Sequence, residues 1–412
     1  MIFYSYAYGG VGLYFQIERT HQQKLGQYNW FIRRASHALG SYMRVIKSDS
    51  SDSLQIGRQP NQKNKNSIAA AVLLEYLHPF SLVSLRVRCG QGFLSPEREV
   101  LLDLIPVEDG FKLSDPFLLG PAIGKAITYR IRLTECWKKI TIKPIAMTGR
   151  VVCRIRIPYD IDIAPRYADF IEVDSLNTHD SIENNDLYKL IQPNEVQEII
   201  FPDVRYICNQ PSNRLVVTFA SINFPSGKYS TYSTFDGISA SRLIVNDCDA
   251  QWYHNGVSGL GGDINEVTNS LQFILRKLDI QYSTFYGMSM GGYGAILFGC
   301  LLEVDRIVAI NPEVILFTKA SRSDQHVLSK NDHPYKDIIG FLSLYKKNLH
   351  VLFSNTDPID KKMLSLVKEI NKATCYSVNG NHNMSQYMHH YLWLVSLIES
   401  GECDIAGIEA ID

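Results

Sequence analysis

The sequence predicts an α/β chain: a mostly parallel, doubly wound sheet preceded by an antiparallel β-sandwich. Two textures and the length carry that prediction. From about 68 to 158, short runs alternate apolar and polar residues between Gly and Pro turns, the period of antiparallel strands with one solvated face. From about 196 onward, nearly continuous apolar runs alternate with helical stretches, the order of a parallel sheet with crossover helices. At 412 residues the chain exceeds one ordinary core, so two or three domains are expected.

The sandwich rests on the alternating runs 81–88, 127–133, 139–144 and 151–158. Before it, residues 1–67 form an N-terminal segment of unassigned role. Its aromatic stretch is expected to be helical over 30–43, and its polar 47–67 reads as a linker. After it, 159–195 reads as an acidic connector containing Asp160, Asp162, Asp169, Glu172, Asp174 and Asp180. That spacing is not the spacing of a calcium loop, so a solvated face is expected there and no metal.

In the C-terminal domain, 196–412, residues 196–201 and 204–208 suggest an opening hairpin, and 215–220 a central strand buried on both faces. Helical periodicity over 265–278 places Val267, Leu271, Ile274 and Leu278 on one side. Strands follow at 281–286, 306–310, 349–353 and 374–378, and helices at 293–302, about 360–371 and 385–399.

A net charge of −1 favours neither nucleic-acid binding nor an acidic tail. The N-terminus lacks the pattern of a signal peptide, and no run approaches the roughly 18 apolar residues that span a bilayer. Cytoplasmic residence is the default expectation, compatible with a place beside a membrane complex. None of the eight cysteines forms a CxxC pair or has a His at zinc-ligand spacing, so buried reduced thiols are expected.

Chemistry concentrates in Gly287-Met288-Ser289-Met290-Gly291, between a predicted strand and a predicted helix. A sharp strand-to-helix turn forces a strained backbone at Ser289 and lifts its hydroxyl clear of the sheet, while the glycines let neighbouring backbones approach. The Met290 N–H, at a helix start, suits a developing oxyanion. A second donor is expected after strand 215–220, from the N–H of Ser221 or Ile222. Serine needs a base, and His382 follows the last apolar strand, with His389 and His390 as rivals inside the final helix. For the acid, Asp357 is preferred as nearer the strand end; Asp360 is the alternative, otherwise a helix cap. Trp252, Tyr253 and His254, beyond strand 242–245, either line the pocket or pack that loop. Gly259-Leu260-Gly261-Gly262-Asp263 reads as a turn, lacking a full phosphate-loop pattern.

Over about 196–412 the chain resembles the α/β-hydrolase superfamily. The stretch Gly287-Met288-Ser289-Met290-Gly291-Gly292-Tyr293-Gly294-Ala295 is similar to bacterial glycan-modifying members: the glycan-acetylating component of the accessory Sec system and capsule polysaccharide O-acetyltransferases. The chain departs from the superfamily pattern in lacking a His-Gly oxyanion motif and in carrying Ser354 where glycine is common. The resemblance implies a serine esterase or O-acyltransferase acting on a carbohydrate, with acetyl-CoA admissible as acyl donor and no other cofactor. It further implies a small ester or glycan substrate and association with a membrane-bound glycan assembly complex. Hydrolysis and acyl transfer stay open, as do two further readings: a non-catalytic assembly module and a serine peptidase.

Overall fold

The computed structural model describes residues 3–5, 15–17, 22–25, 28–33, 41–46, 53–58, 68–77, 81–89, 98–109, 111, 125–144, 147–158, 169–180, 186–327, 333–370, 373–383, 391–399 and 409–411. The chain divides into two compact units, Met1–Asn184 and Asn185–Asp412.

The first unit is antiparallel. One sheet runs in the order Ile127–Leu133, Arg98–Pro106, Gly149–Ile157, Ile68–Leu77, Tyr28–Arg33, Gln22–Leu25. A second set pairs Lys138–Ile142, Ser81–Cys89, Asp169–Asp180, Ser53–Arg58 and Ser41–Ile46 in that order. Three expectations are corrected. In the expected helix 30–43, residues 30–33 and 41–43 instead belong to the strands Tyr28–Arg33 and Ser41–Ile46. The polar 47–67 contains the strand Ser53–Arg58, in which Leu54 and Ile56 are buried. The acidic 159–195 contains the strand Asp169–Asp180, which buries Ile171 and Val173 and pairs Glu172 with Arg88 and Asp174 with Arg86 across the sheet. Local polarity hid these strands because cross-strand ion pairs give charged residues partners that sequence order does not show.

The second unit is a mostly parallel α/β sheet. Its strands are β1 (Gln197–Ile200), β2 (Val204–Cys208), β3 (Arg214–Phe219), β4 (Ser241–Val245), β5 (Tyr282–Met288), β6 (Arg306–Ile310), β7 (Asn348–Ser354), β8 (Ala373–Val378) and β9 (Glu409–Ile411). The helices are α1 (Leu187–Leu190), α2 (Ile264–Lys277), α3 (Met290–Leu301), α4 (Arg322–His326), α5 (Ile339–Leu344), α6 (Pro358–Lys368) and α7 (Tyr391–Glu399). The sheet order is β9-β8-β7-β6-β5-β3-β4-β2-β1. Pairs from β4 through β8 are parallel, while β1, β2 and β9 join antiparallel.

Both sheet faces are covered, which explains the continuous apolar runs. On one face Val216, Tyr286, Val308, Ile310 and Leu352 pack with Leu394, Leu397 and Ile398 of α7. On the other, Phe219 stacks on Phe298 of α3 with ring centroids 5.5 Å apart. Helix α2 is capped by side chains: the N-cap Asp263 accepts from Glu266 N–H at 2.8 Å, and Glu266 accepts from Gly262 N–H at 2.7 Å. At the carboxyl end of β5, in the middle of the parallel strands, the chain turns directly into α3.

Candidate active site

Ser289 lies between β5 and α3 with φ 57° and ψ −120°, a conformation that L residues rarely hold. Neighbouring backbone holds it there. Its N–H donates to Ile310 O at 2.8 Å, and its carbonyl accepts from Tyr293 N–H at 3.1 Å. The flanking glycines are sterically required. A Cβ at Gly287 would stand 2.0 Å from Gly291 O, and one at Gly291 would stand 2.1 Å from Phe219 O. This close approach lays the end of β3, which leads into Ser221 and Ile222, against the start of α3. Met290 is the first residue of α3, so its N–H has no acceptor within the helix.

His382 and Asp360 complete a hydrogen-bonded line. Ser289 Oγ–H donates to His382 Nε2 at 2.8 Å, and His382 Nδ1–H donates to Asp360 Oδ1 and Oδ2 at 2.8 and 2.9 Å. An ionised carboxylate only accepts, which fixes the tautomer and leaves Nε2 free to accept from the serine. Ser289 is 5% and Asp360 1% exposed, and His382 between them is partly buried. Burial raises the Asp360 carboxyl above its ordinary value, opposed by the hydrogen bond and charge of His382.

The preference for Asp357 over Asp360 is corrected. Asp357 is the N-cap of α6: its Oδ1 accepts from Ile359 and Asp360 N–H at 2.9 and 3.1 Å, and Oδ2 from Arg322 at 2.7 Å. Burial pushes its carboxyl up, but those N–H donors and Arg322 outweigh it and hold the group below its usual value. Asp360, the third residue of α6, points to the imidazole instead. His389 and His390 lie outside the described residues.

Several supports escaped the sequence reading. Fully buried Asn311, at φ 46° after β6, donates through Nδ2 to His382 O at 2.6 Å and accepts Ser354 N–H at 2.7 Å. Ser354 and Thr356 hydroxyls both donate to Gly380 O, two residues before His382. The serine that replaces a common glycine thus ties the acid's loop to the histidine's loop. Arg322 Nη1 lies 3.7 Å from Asp360 Oδ1, a position 38 residues away in sequence that no motif announces.

Trp252, Tyr253 and His254 make packing and hydrogen-bond contacts within their part of the fold. Trp252 and Tyr253 are fully buried at positive φ; Tyr253 donates its hydroxyl to Ala220 O at 2.7 Å and its N–H to Asp247 at 2.8 Å. Half-buried His254 contacts the Tyr293 hydroxyl at 2.8 Å, and burial, then His333, pushes it down to about 3, so it stays neutral. None of the three joins the Ser289–His382–Asp360 line. Ligand atoms of Asp357, Asp360 and His382 lie within 4.8 Å of one another, but the positive charge among these carboxylates is the Arg322 guanidinium.

No protein family and no curated protein matches this sequence. Similar solved structures include a capsule O-acetyltransferase of Neisseria meningitidis serogroup A, at 16% identity and TM-score 0.39, covering 48% of this chain and 93% of that one. A CoA complex of a variant of that enzyme is similar at TM-score 0.36. A glycosylation-associated protein complex of Streptococcus agalactiae aligns at 11% identity and TM-score 0.36, over 90% of this chain and 73% of that one. A fluorophosphonate-binding serine hydrolase of Staphylococcus aureus aligns at 13% identity and TM-score 0.34, over 47% of this chain and 91% of that one.

Proposed function

We propose that the second unit is a serine-dependent esterase or O-acyltransferase acting on a carbohydrate. The observation that carries this reading is the line from Asp360 through His382 to a serine held at φ 57°. His382 takes the Ser289 proton as Oγ bonds the carbonyl carbon of an ester or thioester. The Met290 N–H and the Ser221 or Ile222 N–H receive the oxyanion. The imidazolium returns that proton to the departing alcohol or thiol, leaving an acyl-serine. Water or a sugar hydroxyl then gives its proton to His382 and takes the acyl group, and the imidazolium returns that proton to the departing Ser289 Oγ. Asp360 holds the imidazole tautomer and stabilises its charged form.

The finer reading is O-acetyl transfer from acetyl-CoA to a glycan hydroxyl, in the cytoplasm beside a membrane-bound glycan assembly complex. It rests on the resemblance of residues 287–295. We read the antiparallel sheets of the first unit as a sandwich with a structural or glycan-binding role.

Labelling with a fluorophosphonate probe tests the reading. The protein should label at Ser289, and Ser289→Ala should not. Mass spectrometry of the intact protein after incubation with p-nitrophenyl acetate or acetyl-CoA should show one added acetyl group, absent in Ser289→Ala. A protein inert to the probe and to both donors would be an assembly module, and the enzymatic reading would be lost.

A further inference from the structure

The Asp360–His382 couple is not alone in its part of the site. Arg322, at the start of α4, bonds Asp357 at 2.7 Å and stands 3.7 Å from Asp360. Its guanidinium is mostly sheltered, with 19% side-chain exposure, so its field is only partly screened by water. Its backbone is fixed too: Glu313, 1% exposed, accepts the N–H groups of Arg322 and Ser323 at 2.6 and 3.0 Å. Asp357 is held by its own cap and by Ser354 Oγ, which accepts the Asp357 N–H at 3.2 Å. Two opposite charges, anchored on separate elements, thus flank the carboxylate that faces the base.

Resting on the proposed roles of His382 and Asp360, we propose that Arg322 and Asp357 are positioning residues that set how readily His382 takes up its proton. Arg322 disfavours the imidazolium and keeps Asp360 ionised. Asp357 offsets that charge and fixes where it sits. Without Asp357, Arg322 would weaken the base; without Arg322, Asp357 would strengthen it.

Other charges nearby do not supply this function. Among the described residues, the charges that act most strongly on Asp360 are those of His382, Asp357 and Arg322. Under α6, His350 of β7 bonds the Tyr376 hydroxyl of β8 at 3.1 Å and stays neutral, pushed down to about 4 by burial and then Arg306. Cys375, also on β8, is pushed up by burial and stays a thiol. Lys361 and Lys362 of α6 are exposed, and on α4 Asp324 is partly buried and His326 exposed. Glu313 is committed to backbone N–H groups.

The two single variants move the base in opposite directions, which a merely structural role would not do. Arg322→Gln should shift the acid limb of the labelling-rate profile to higher pH by about 0.5–1 unit. Asp357→Asn should shift it to lower pH by a similar amount. Arg322→Lys should leave it near the wild-type position, and the double variant should lie between the singles. Asparagine also caps helices, so Asp357→Asn keeps the start of α6 and decides the matter even should Arg322→Gln not fold. Shifts of the same sign, or no shift in Asp357→Asn, would overturn the proposal.

Titration of the His382 ring by proton NMR, its signals assigned by their loss in His382→Gln, reads the same shifts without turnover. Opposite shifts in a protein that never labels at Ser289 would uphold the charge pair and reject the catalytic reading. Labelling with unmoved titration would do the reverse.

Discussion

Asp103 in the first unit and Asp360 in the second are both buried aspartates, at 0% and 1% exposure, yet their surroundings differ in kind. Asp103 accepts four hydrogen bonds. Arg154 Nε and Arg156 Nε reach Oδ2 at 2.7 and 2.6 Å, while Arg156 Nη2 and Thr128 Oγ1 reach Oδ1 at 2.8 and 2.7 Å. Three of these come from cations that never lose their charge. Burial raises the Asp103 carboxyl, but Arg156, Thr128 and Arg154 together bring it below its ordinary value. Asp360 meets a titratable imidazole, with its nearest permanent cation at 3.7 Å, and its proton affinity is raised. Depth of burial therefore does not distinguish these two carboxylates; whether the partners they bond can change charge does.

That contrast is best broken by the exchange Asp360→Asn, which carries the largest expected effect. The amide keeps the volume but favours the wrong imidazole tautomer, so labelling and acetyl turnover should fall by about 10²–10⁴-fold. The folded state should survive, since the neutral side chain is easier to bury. A loss under about tenfold would reassign Asp360 to a supporting role.

The same exchange at Asp103 should reverse the pattern. Asp103→Asn leaves Arg154 and Arg156 without their counter-charge in a sheltered site, a class of change that destabilises by about 3–5 kcal/mol. Thermal unfolding of the first unit should show that loss, while fluorophosphonate labelling at Ser289 stays at the wild-type rate. Equal loss of labelling in the folded variant would mean that the first unit shapes the chemistry directly.

How much of this was legible follows from the range of each signal. The Ser289 turn was readable because its causes are local: a strand, two glycines and a helix within a dozen residues. His382 was readable from its place after the last apolar strand. The confusion of Asp357 with Asp360 was avoidable, because Asp-Pro at a strand end is itself the signature of a helix cap followed by proline at the first helical position. Recognising the cap would have freed Asp360 for the imidazole. Arg322 and Asn311 were not legible, since their contacts at the site lie across the fold. The strand Asp169–Asp180 was missed because the partners of Glu172 and Asp174 sit on another strand, at Arg88 and Arg86.

The smallest predicted effect gives the finest comparison, because the two aspartates should contribute to stability with opposite signs in acid. Asp103 has a depressed carboxyl, so its contribution is complete above the unfolded value near 3.8 and is lost as pH falls through the folded value. Asp360 has a raised carboxyl, so its contribution is complete below 3.8 and is lost as pH rises through its folded value. Each single group changes stability by at most about 1.4 kcal/mol per pH unit. Thermal unfolding of wild type, Asp103→Asn and Asp360→Asn between pH 3 and 5 should therefore diverge. The gap between wild type and Asp103→Asn should narrow as the solution is acidified, while wild type should gain on Asp360→Asn. Were both gaps to move the same way, the permanent cations around Asp103 would not be what distinguishes the two sites.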